Sequence, residues 1–242
     1  MKVTVIIPAA GLGTRMAPVP SGRSAKAAPT KQFTELGGTP ILLHTLRKFA
    51  ATPEVSGICV ALRANEIDGF RKRLEREAKD VLQKKIQLVE GGEHRQHSVA
   101  NALAAISAAD DDVILVHDAV RPFVTPEIIR EVIHAAQKYG AAIAGWPAVD
   151  TVKLVDRTAE GAVISATIPR EKVVMAQTPQ GFRYGVIKKA FDEATADGFL
   201  GTDEAALVER SGHPVAVVMG SPRNIKITTP ADMELAEFYL RH

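Results

Sequence analysis

The sequence predicts an α/β fold built on a mostly parallel sheet with helices on both faces. Three observations predict it. The strand-like segments VTVIIPA, SGICVAL and DVILVHDA are apolar throughout rather than alternating, as in strands covered on both faces. Amphipathic segments with helical spacing separate them, the arrangement of consecutive βα units. The chain is 242 residues long and 46% hydrophobic, enough to bury such a sheet in one domain or at most two.

In chain order, VTVIIPA (3–9) reads as the first strand, and PILLHTLRKFAAT (40–52) repeats its apolar residues at helical spacing. SGICVAL (56–62) is a strand, FRKRLEREAKDVL (70–82) a helix and KIQLVEGG (85–92) a strand. SVANALAAI (98–106) reads as a helix that Ser98 would cap, followed by the strand DVILVHDA (112–119). PEIIREVIHAAQKYG (126–140) carries Pro126 at its start and Gly140 at its end, the usual helix punctuation, and AAIAGWPA (141–148) is again a strand. TVKLVDRTAEGAVISATIPRE (151–171) breaks the rhythm: it reads as two strands around the turn-rich DRTAEG, a hairpin inserted into the α/β pattern. Its alternating pattern leaves it no helix to cover a face, so it is expected to pack outside the core, on a partner subunit or as a flap. No linker, repeat or low-complexity stretch interrupts the chain.

Charge and cysteine content narrow the function classes. The net charge of +2 is far from the basic footprint of a nucleic-acid binder. Cys59, the only cysteine, lies inside an apolar strand and reads as an inert core thiol of a reducing compartment. Met1 runs directly into a strand pattern and no apolar run spans a bilayer, so a soluble cytoplasmic protein is expected.

The chemistry gathers where strands end. PAAGLGTRM (8–16) fails the dinucleotide fingerprint, because Met16 stands where a third glycine belongs, and no G-K-[ST] makes it a P-loop. What remains is a strand, a glycine-bearing turn and Arg15. Backbone amides can line an anion there and the guanidinium adds a permanent positive charge, though the same letters fit a plain strand-ending turn. Lys31 follows a Pro/Ser/Ala-rich loop. Asp118 ends the strand VILV, where a carboxylate suits Mg²⁺ in phosphate chemistry or merely turns the chain; Arg121 is three residues on. In EGGEHRQHS, Ser98 caps a helix or reads a base edge, while His94 and His97 lack further ligands for zinc. RKRLEREAKDVLQKK mixes both charges at helical spacing and reads as a solvated face.

PAAGLGTRM, PTKQF, EGGEHRQHSV, VHDAVRPF, DTVK, AQTPQGF, TDEA and NIKIT occur in this order across essentially the whole chain. In them the sequence resembles the 2-C-methyl-D-erythritol 4-phosphate cytidylyltransferases. The resemblance implies a three-layer Rossmann-like nucleotidyltransferase domain over residues 1–242, with residues 150–171 as a protruding arm. It further implies a Mg²⁺-dependent homodimer that exchanges arms and joins CTP to methylerythritol phosphate, with release of pyrophosphate. It assigns Pro8, Ala9, Ala10, Gly11, Gly13, Gly92, Glu93, Ser98, Asp118 and Ala119 to CTP, with Gly92, Glu93 and Ser98 reading cytosine and Asp118 near the metal. Arg15, Lys31, Arg170 and Lys226 are the implied catalytic charges, and Arg121, Thr151, Thr178 and Thr202 the implied polyol-phosphate contacts, Thr151 reaching over from the partner. Two departures stand out: residues 17–29 form a longer loop than in many relatives, and Glu93 replaces a common aspartate.

These residues suit direct in-line attack by a phosphate oxygen on the α-phosphorus of CTP. A phosphate monoester is already nucleophilic, so the obstacle is the meeting of two anions, which cations relieve. Two alternatives remain: a cytidylyltransferase for another polyol phosphate such as ribitol 5-phosphate, and a non-catalytic nucleotide sensor. PAAG, DTVK and TDEA favour methylerythritol phosphate over the first, and the full set of second-substrate residues argues against the second.

Overall fold

The computed structural model describes residues 1–11 and 30–242; Gly13, Arg15 and the loop 17–29 lie outside the described residues. The elements run β1 (Val3–Pro8), β2 (Glu35–Leu36), β3 (Thr39–Pro40), α1 (Ile41–Ala50), β4 (Gly57–Leu62), α2 (Ala64–Glu77), β5 (Lys85–Glu90), α3 (Arg95–Ala105), β6 (Val113–Val116) and α4 (Pro126–Tyr139). They continue with β7 (Ala141–Pro147), β8 (Val152–Thr158), β9 (Gly161–Ile168), β10 (Val174–Arg183), α5 (Tyr184–Ala196), α6 (Glu204–Arg210), β11 (Ala216–Met219) and α7 (Pro230–Arg241).

A seven-stranded sheet has the order β11-β7-β10-β6-β1-β4-β5. β10 alone runs antiparallel, paired to both β6 and β7. Alternation along the strands divides the core into two layers. Val3, Val5 and Ile7 of β1 face α1, α2 and α4, whereas Ile6 and Cys59 face α3, α5 and α6. This is the expected three-layer α/β arrangement. Burial pushes the Cys59 thiol up to about 12, which leaves it unreactive as expected.

The chain passes from β1 outward through β4 to β5, then crosses to β6 on the other side of β1. The reversal opens a crevice at the carboxyl ends of β1 and β6, where open α/β sheets bind ligands.

Three local readings change. α2 begins at Ala64 and stops at Glu77, because a short 3-10 turn at Val81–Gln83 tucks the buried Val81 under α1 instead of extending the helix. α3 begins at Arg95 rather than Ser98, so Ser98 is not its cap; it is buried one turn inside. The strands of the hairpin run through most of DRTAEG and leave only Ala159 and Glu160 between Thr158 and Gly161.

β8 and β9 form a separate two-stranded ribbon. Its register slips between Leu154 and Val155, so Ser165 is an extra residue on β9. Opposed residues share a face, and the slip brings Val163 to the side of Val152, Leu154 and Ile168. Leu154 and Val163 are 53% and 62% exposed, an apolar ribbon face that its own chain leaves uncovered.

Candidate active site

Three loops at the carboxyl edge of the sheet converge. After β1, Ala9 N–H donates to Ala61 O at 2.7 Å and extends the ladder by one residue. Gln32 Nε2 donates to Ala9 O at 2.7 Å and Arg63 Nε to Ala10 O at 3.1 Å, so two side chains clamp this turn. After β5 the chain must pass close to its neighbours. A Cβ at Gly91 would lie 2.4 Å from Ala10 Cβ, and one at Gly92 2.3 Å from His97 Cβ, which leaves room for glycine alone. Ser98 Oγ accepts from Gly92 N–H at 3.1 Å and ties this loop to α3.

These loops enclose a cleft of about 230 Å³. Pro8, Ala9, Ala10, Gly11, Gly92, Glu93, Ser98, Asp118 and Ala119 line it, together with Lys31, Arg95 and Lys226. Every described residue assigned to the nucleotide from the sequence therefore meets in one place.

A second cavity of about 180 Å³ adjoins it, lined by Arg121, Thr178, Thr202, Gln177, Gln180 and Asp203. Arg95, Asp118 and Lys226 belong to both linings and form the wall between them. Arg121, Thr178, Thr202 and Lys226 are thus brought together as expected. Thr151 and Arg170 are exposed and line neither cavity of their own chain. Arg170 Nη1 instead donates to Val149 O at 3.0 Å, beside the base of the ribbon.

The wall is a charge cluster. Asp118, 6% exposed, meets Arg95 Nε at 3.1 Å through Oδ1, and Lys226 Nζ at 2.9 Å and Arg121 Nε at 3.3 Å through Oδ2. Burial alone would raise the Asp118 carboxyl, but Arg95, Lys226 and Arg121 outweigh it and hold the group well below the usual carboxylate range. Behind it, Glu204 is buried and accepts twice from Arg95 Nη1, at 2.6 and 2.8 Å.

A neutral relay seats Asp118 from below. His117 Nε2 lies 3.1 Å from Arg121 O, which can only accept, so Nε2 carries the proton. Nδ1 then accepts from the Thr178 hydroxyl at 3.0 Å, and Thr178 Oγ1 accepts from Asp118 N–H at 3.1 Å. Burial pushes His117 down to about 4. β10 is irregular between Ala176 and Gln180, where the Thr178–Pro179 peptide is cis, and this stretch sets Thr178 beside β6.

Sequence reasoning missed Arg95, Glu204, Gln32, Arg63, His117 and Asn224, the last of which accepts from Arg121 Nη1 through its carbonyl at 2.6 Å and donates from Nδ2 to Thr178 O at 2.8 Å. Arg95 lay inside a block already singled out, as its only arginine. Glu204 lay inside TDEA, one of the motifs that carry the resemblance, but it was given no role, since an acidic residue at a helix start reads as ordinary helix-start chemistry. Among the described residues, no group of three or more His, Cys, Asp or Glu is placed to hold a metal ion. The His94 and His97 rings lie tilted to each other at 58°, with centroids 5.1 Å apart.

A cleft at the sheet reversal, joined through a wall of Arg95, Asp118 and Lys226 to a second polar cavity, is the arrangement of an α/β nucleotidyltransferase. The family model described as IspD, 2-C-methyl-D-erythritol 4-phosphate cytidylyltransferase, matches residues 3–242. The chain belongs to that family. It is 56% identical to the 2-C-methyl-D-erythritol 4-phosphate cytidylyltransferase of Acidobacterium capsulatum, over 100% of this chain and 98% of the relative. It is 52% identical to that of Solibacter usitatus, over 100% and 96%. Among solved structures, 4-diphosphocytidyl-2C-methyl-D-erythritol synthase from Anaerococcus prevotii superposes with a TM-score of 0.82 at 31% identity, covering 100% of this chain and 96% of its own. The 2-C-methyl-D-erythritol 4-phosphate cytidylyltransferase of Thermus thermophilus does so with a TM-score of 0.76 at 33% identity, covering 100% of both chains. Among the described residues no helix is long and apolar enough to cross a membrane.

Proposed function

We propose that the two cavities on either side of Asp118 hold the two substrates of a cytidylyl transfer. The chain transfers CMP from CTP to 2-C-methyl-D-erythritol 4-phosphate, giving CDP-methylerythritol and pyrophosphate. The observation that carries the site reading is that Arg95, Asp118 and Lys226 line both cavities. An attacking phosphate and the α-phosphorus of CTP would meet at that wall.

In this reading CTP lies in the larger cleft. The turn after β1 and Lys31 take its phosphates, joined by Arg15, and Gly92, Glu93 and Ser98 take its cytosine. Ser98 Oγ already accepts from Gly92 N–H, so its contribution is to hold the Gly92 backbone as well as to meet the base. Arg121, Thr178, Thr202 and Lys226 receive the polyol phosphate. A phosphate oxygen of that substrate attacks in line, the bond from the α-phosphorus to the bridging oxygen breaks, and pyrophosphate leaves with the electron pair. The protein need not accept a proton. It aligns two anions and spreads cations around them.

For Mg²⁺ the wall offers one carboxylate, Asp118, whose oxygens already meet Arg95, Lys226 and Arg121, so an ion there would be held chiefly by phosphate oxygens and water. When bound there the ion would neutralise triphosphate charge. Residues 1–242 act as one nucleotidyltransferase domain, and residues 150–171 as an arm exchanged in a homodimer. The exposed apolar face of the ribbon supports the exchange, as does the position of Thr151 and Arg170 outside their own chain's cavities. Each would then serve the partner's site.

Pyrophosphate release from CTP, with methylerythritol phosphate and ribitol 5-phosphate tested side by side, checks the substrate reading. Turnover on methylerythritol phosphate should dominate; preference for ribitol 5-phosphate would reassign the second cavity.

A further inference from the structure

We propose that Glu204 is a positioning residue for the transfer, acting through Arg95. The inference rests on the reading that the two cavities hold the two substrates. Glu204 is 1% exposed, and both of its carboxylate oxygens accept from Arg95 Nη1. Arg95 Nε donates to Asp118 Oδ1 at 3.1 Å. Its Nη2 amino group meets no partner among the described residues, while the side chain lines both cavities. A guanidinium is rigid and planar, so fixing two of its edges fixes the third. Glu204 and Asp118 together therefore set where Nη2 lies along the wall that phosphate oxygens of both substrates would approach.

The backbone of Glu204 is itself clamped. Asp203 caps α6 by accepting from Ala206 N–H at 2.9 Å, and it also accepts from Gln180 Nε2 at 2.8 Å. Gln180 Oε1 in turn accepts from Ala205 N–H at 3.0 Å, so the start of α6 is fastened to β10 on both sides of Glu204. Stability alone gives little reason for such a pair. A buried ion pair is often no better than apolar residues of the same size, whereas losing one partner strands the other. Orientation is what it supplies.

Charge decides the form of the effect. Arg95 meets both Asp118 and Glu204, and Arg121 and Lys226 meet Asp118, so this ion-pair cluster sets three positive groups against two negative and carries one net positive charge. Glu204→Gln leaves two. Anionic substrates should then bind no worse, while the guanidinium loses its alignment, so the loss falls on kcat and not on KM.

The test is steady-state kinetics with CTP and methylerythritol phosphate, with thermal melting of each variant. Glu204→Gln should lower kcat roughly ten- to hundredfold, as loss of a supporting partner commonly does, without raising either KM. In an Arg95→Lys background, which keeps the charge but not the fork, the same substitution should change kcat by less than about threefold. A folded Glu204→Gln enzyme with wild-type kcat overturns the proposal, as does an undiminished effect in the Arg95→Lys background. Should Glu204→Gln not fold, Glu204→Asp keeps the charge one methylene short; a reduced kcat supports the proposal and a wild-type kcat sinks it. Lys226→Ala separates the two readings. Wild-type kinetics there would remove the two-cavity site itself, whereas a crippled Lys226→Ala beside an unaffected Glu204→Gln removes only the positioning role.

Discussion

Lys226 Nζ lies 2.9 Å from Asp118 Oδ2, so a lysine from the loop before α7 and an aspartate from the end of β6 share the wall between two cavities. The two are not equal partners. Lys226 is 37% exposed at its side chain, while Asp118 is 8% exposed there and keeps Arg95 and Arg121 if the lysine is lost. Lys226→Ala should therefore cost less than about 1 kcal/mol of stability yet lower turnover by roughly 10²-fold. Asp118→Ala takes from the buried Arg121 its carboxylate partner and leaves Arg95 with Glu204 alone, and should cost about 3–5 kcal/mol. Urea unfolding beside kinetics separates the two; equal stability losses would contradict this picture of the cluster.

Lys31 opens the 3-10 turn at Lys31–Phe33 and lines the larger cleft. Lys31→Ala should lower kcat by roughly 10²-fold or more, the usual effect of removing one donor aimed at transition-state charge. A near-normal rate would exclude Lys31 and direct attention to Lys26, which lies outside the described residues.

Cytosine and uracil differ at position four, where an amino donor is replaced by a carbonyl acceptor. With the Gly92–Glu93 backbone held by Ser98, the loop has little freedom to accommodate the exchange. UTP should then give a kcat/KM lower than that of CTP by two orders of magnitude or more, roughly, because a mismatched edge leaves buried groups unpaired. Comparable values for the two nucleotides would move the base elsewhere.

His117 titrates at about 4 in the fold against 6.5 for an unperturbed histidine, burial being the chief cause. Because the folded value is the lower, the unfolded chain binds more protons between the two, and stability falls as pH drops through that window. By pH 5 the loss should be about 2 kcal/mol. Unfolding free energies at pH 7 and pH 5, at fixed chain concentration, should show that loss in the wild type and a smaller one in His117→Gln. Identical losses would mean that His117 is not held neutral.

The ribbon leads to a complementation experiment. Thr151 stands at its base and outside its own chain's cavities, while Lys226 lines both. A two-stranded ribbon alone is marginal in water, and a two-fold partner that took its apolar face would stabilise it. Mixing inactive Thr151→Ala with inactive Lys226→Ala should restore activity after subunit exchange, since one of the two sites in each heterodimer is then whole. Heterodimers that form and stay inactive would place both residues in one chain's site and make the ribbon a flap.

Every strand and helix read from 3 to 148 is present, because apolar continuity and 3.6-residue spacing are local properties of the chain. The strand-end signals at Ala9, Gly92 and Asp118 were legible for the same reason: a short polar or glycine-bearing stretch directly after an apolar strand has few places to go. The sequence alone also determined that the hairpin would stand apart, since its alternating pattern contains no helix to cover a face, and β8 and β9 do form a ribbon separate from the main sheet. Only the tertiary structure decided the pairings across the site. Arg95 and Glu204 are 109 residues apart, Arg121 and Asn224 are 103, and His117 and Thr178 are 61. Periodicity says that strands exist but not which lie side by side. The antiparallel return of β10 between β6 and β7 brings Thr178 under Asp118, and it fastens the start of α6 behind Arg95. Ser98 makes the same point on a smaller scale. Its letters suited a helix cap, but the close approach of Gly91 and Gly92 to Ala10 and His97 drew the hydroxyl inward, to a backbone that only the packed sheet puts there.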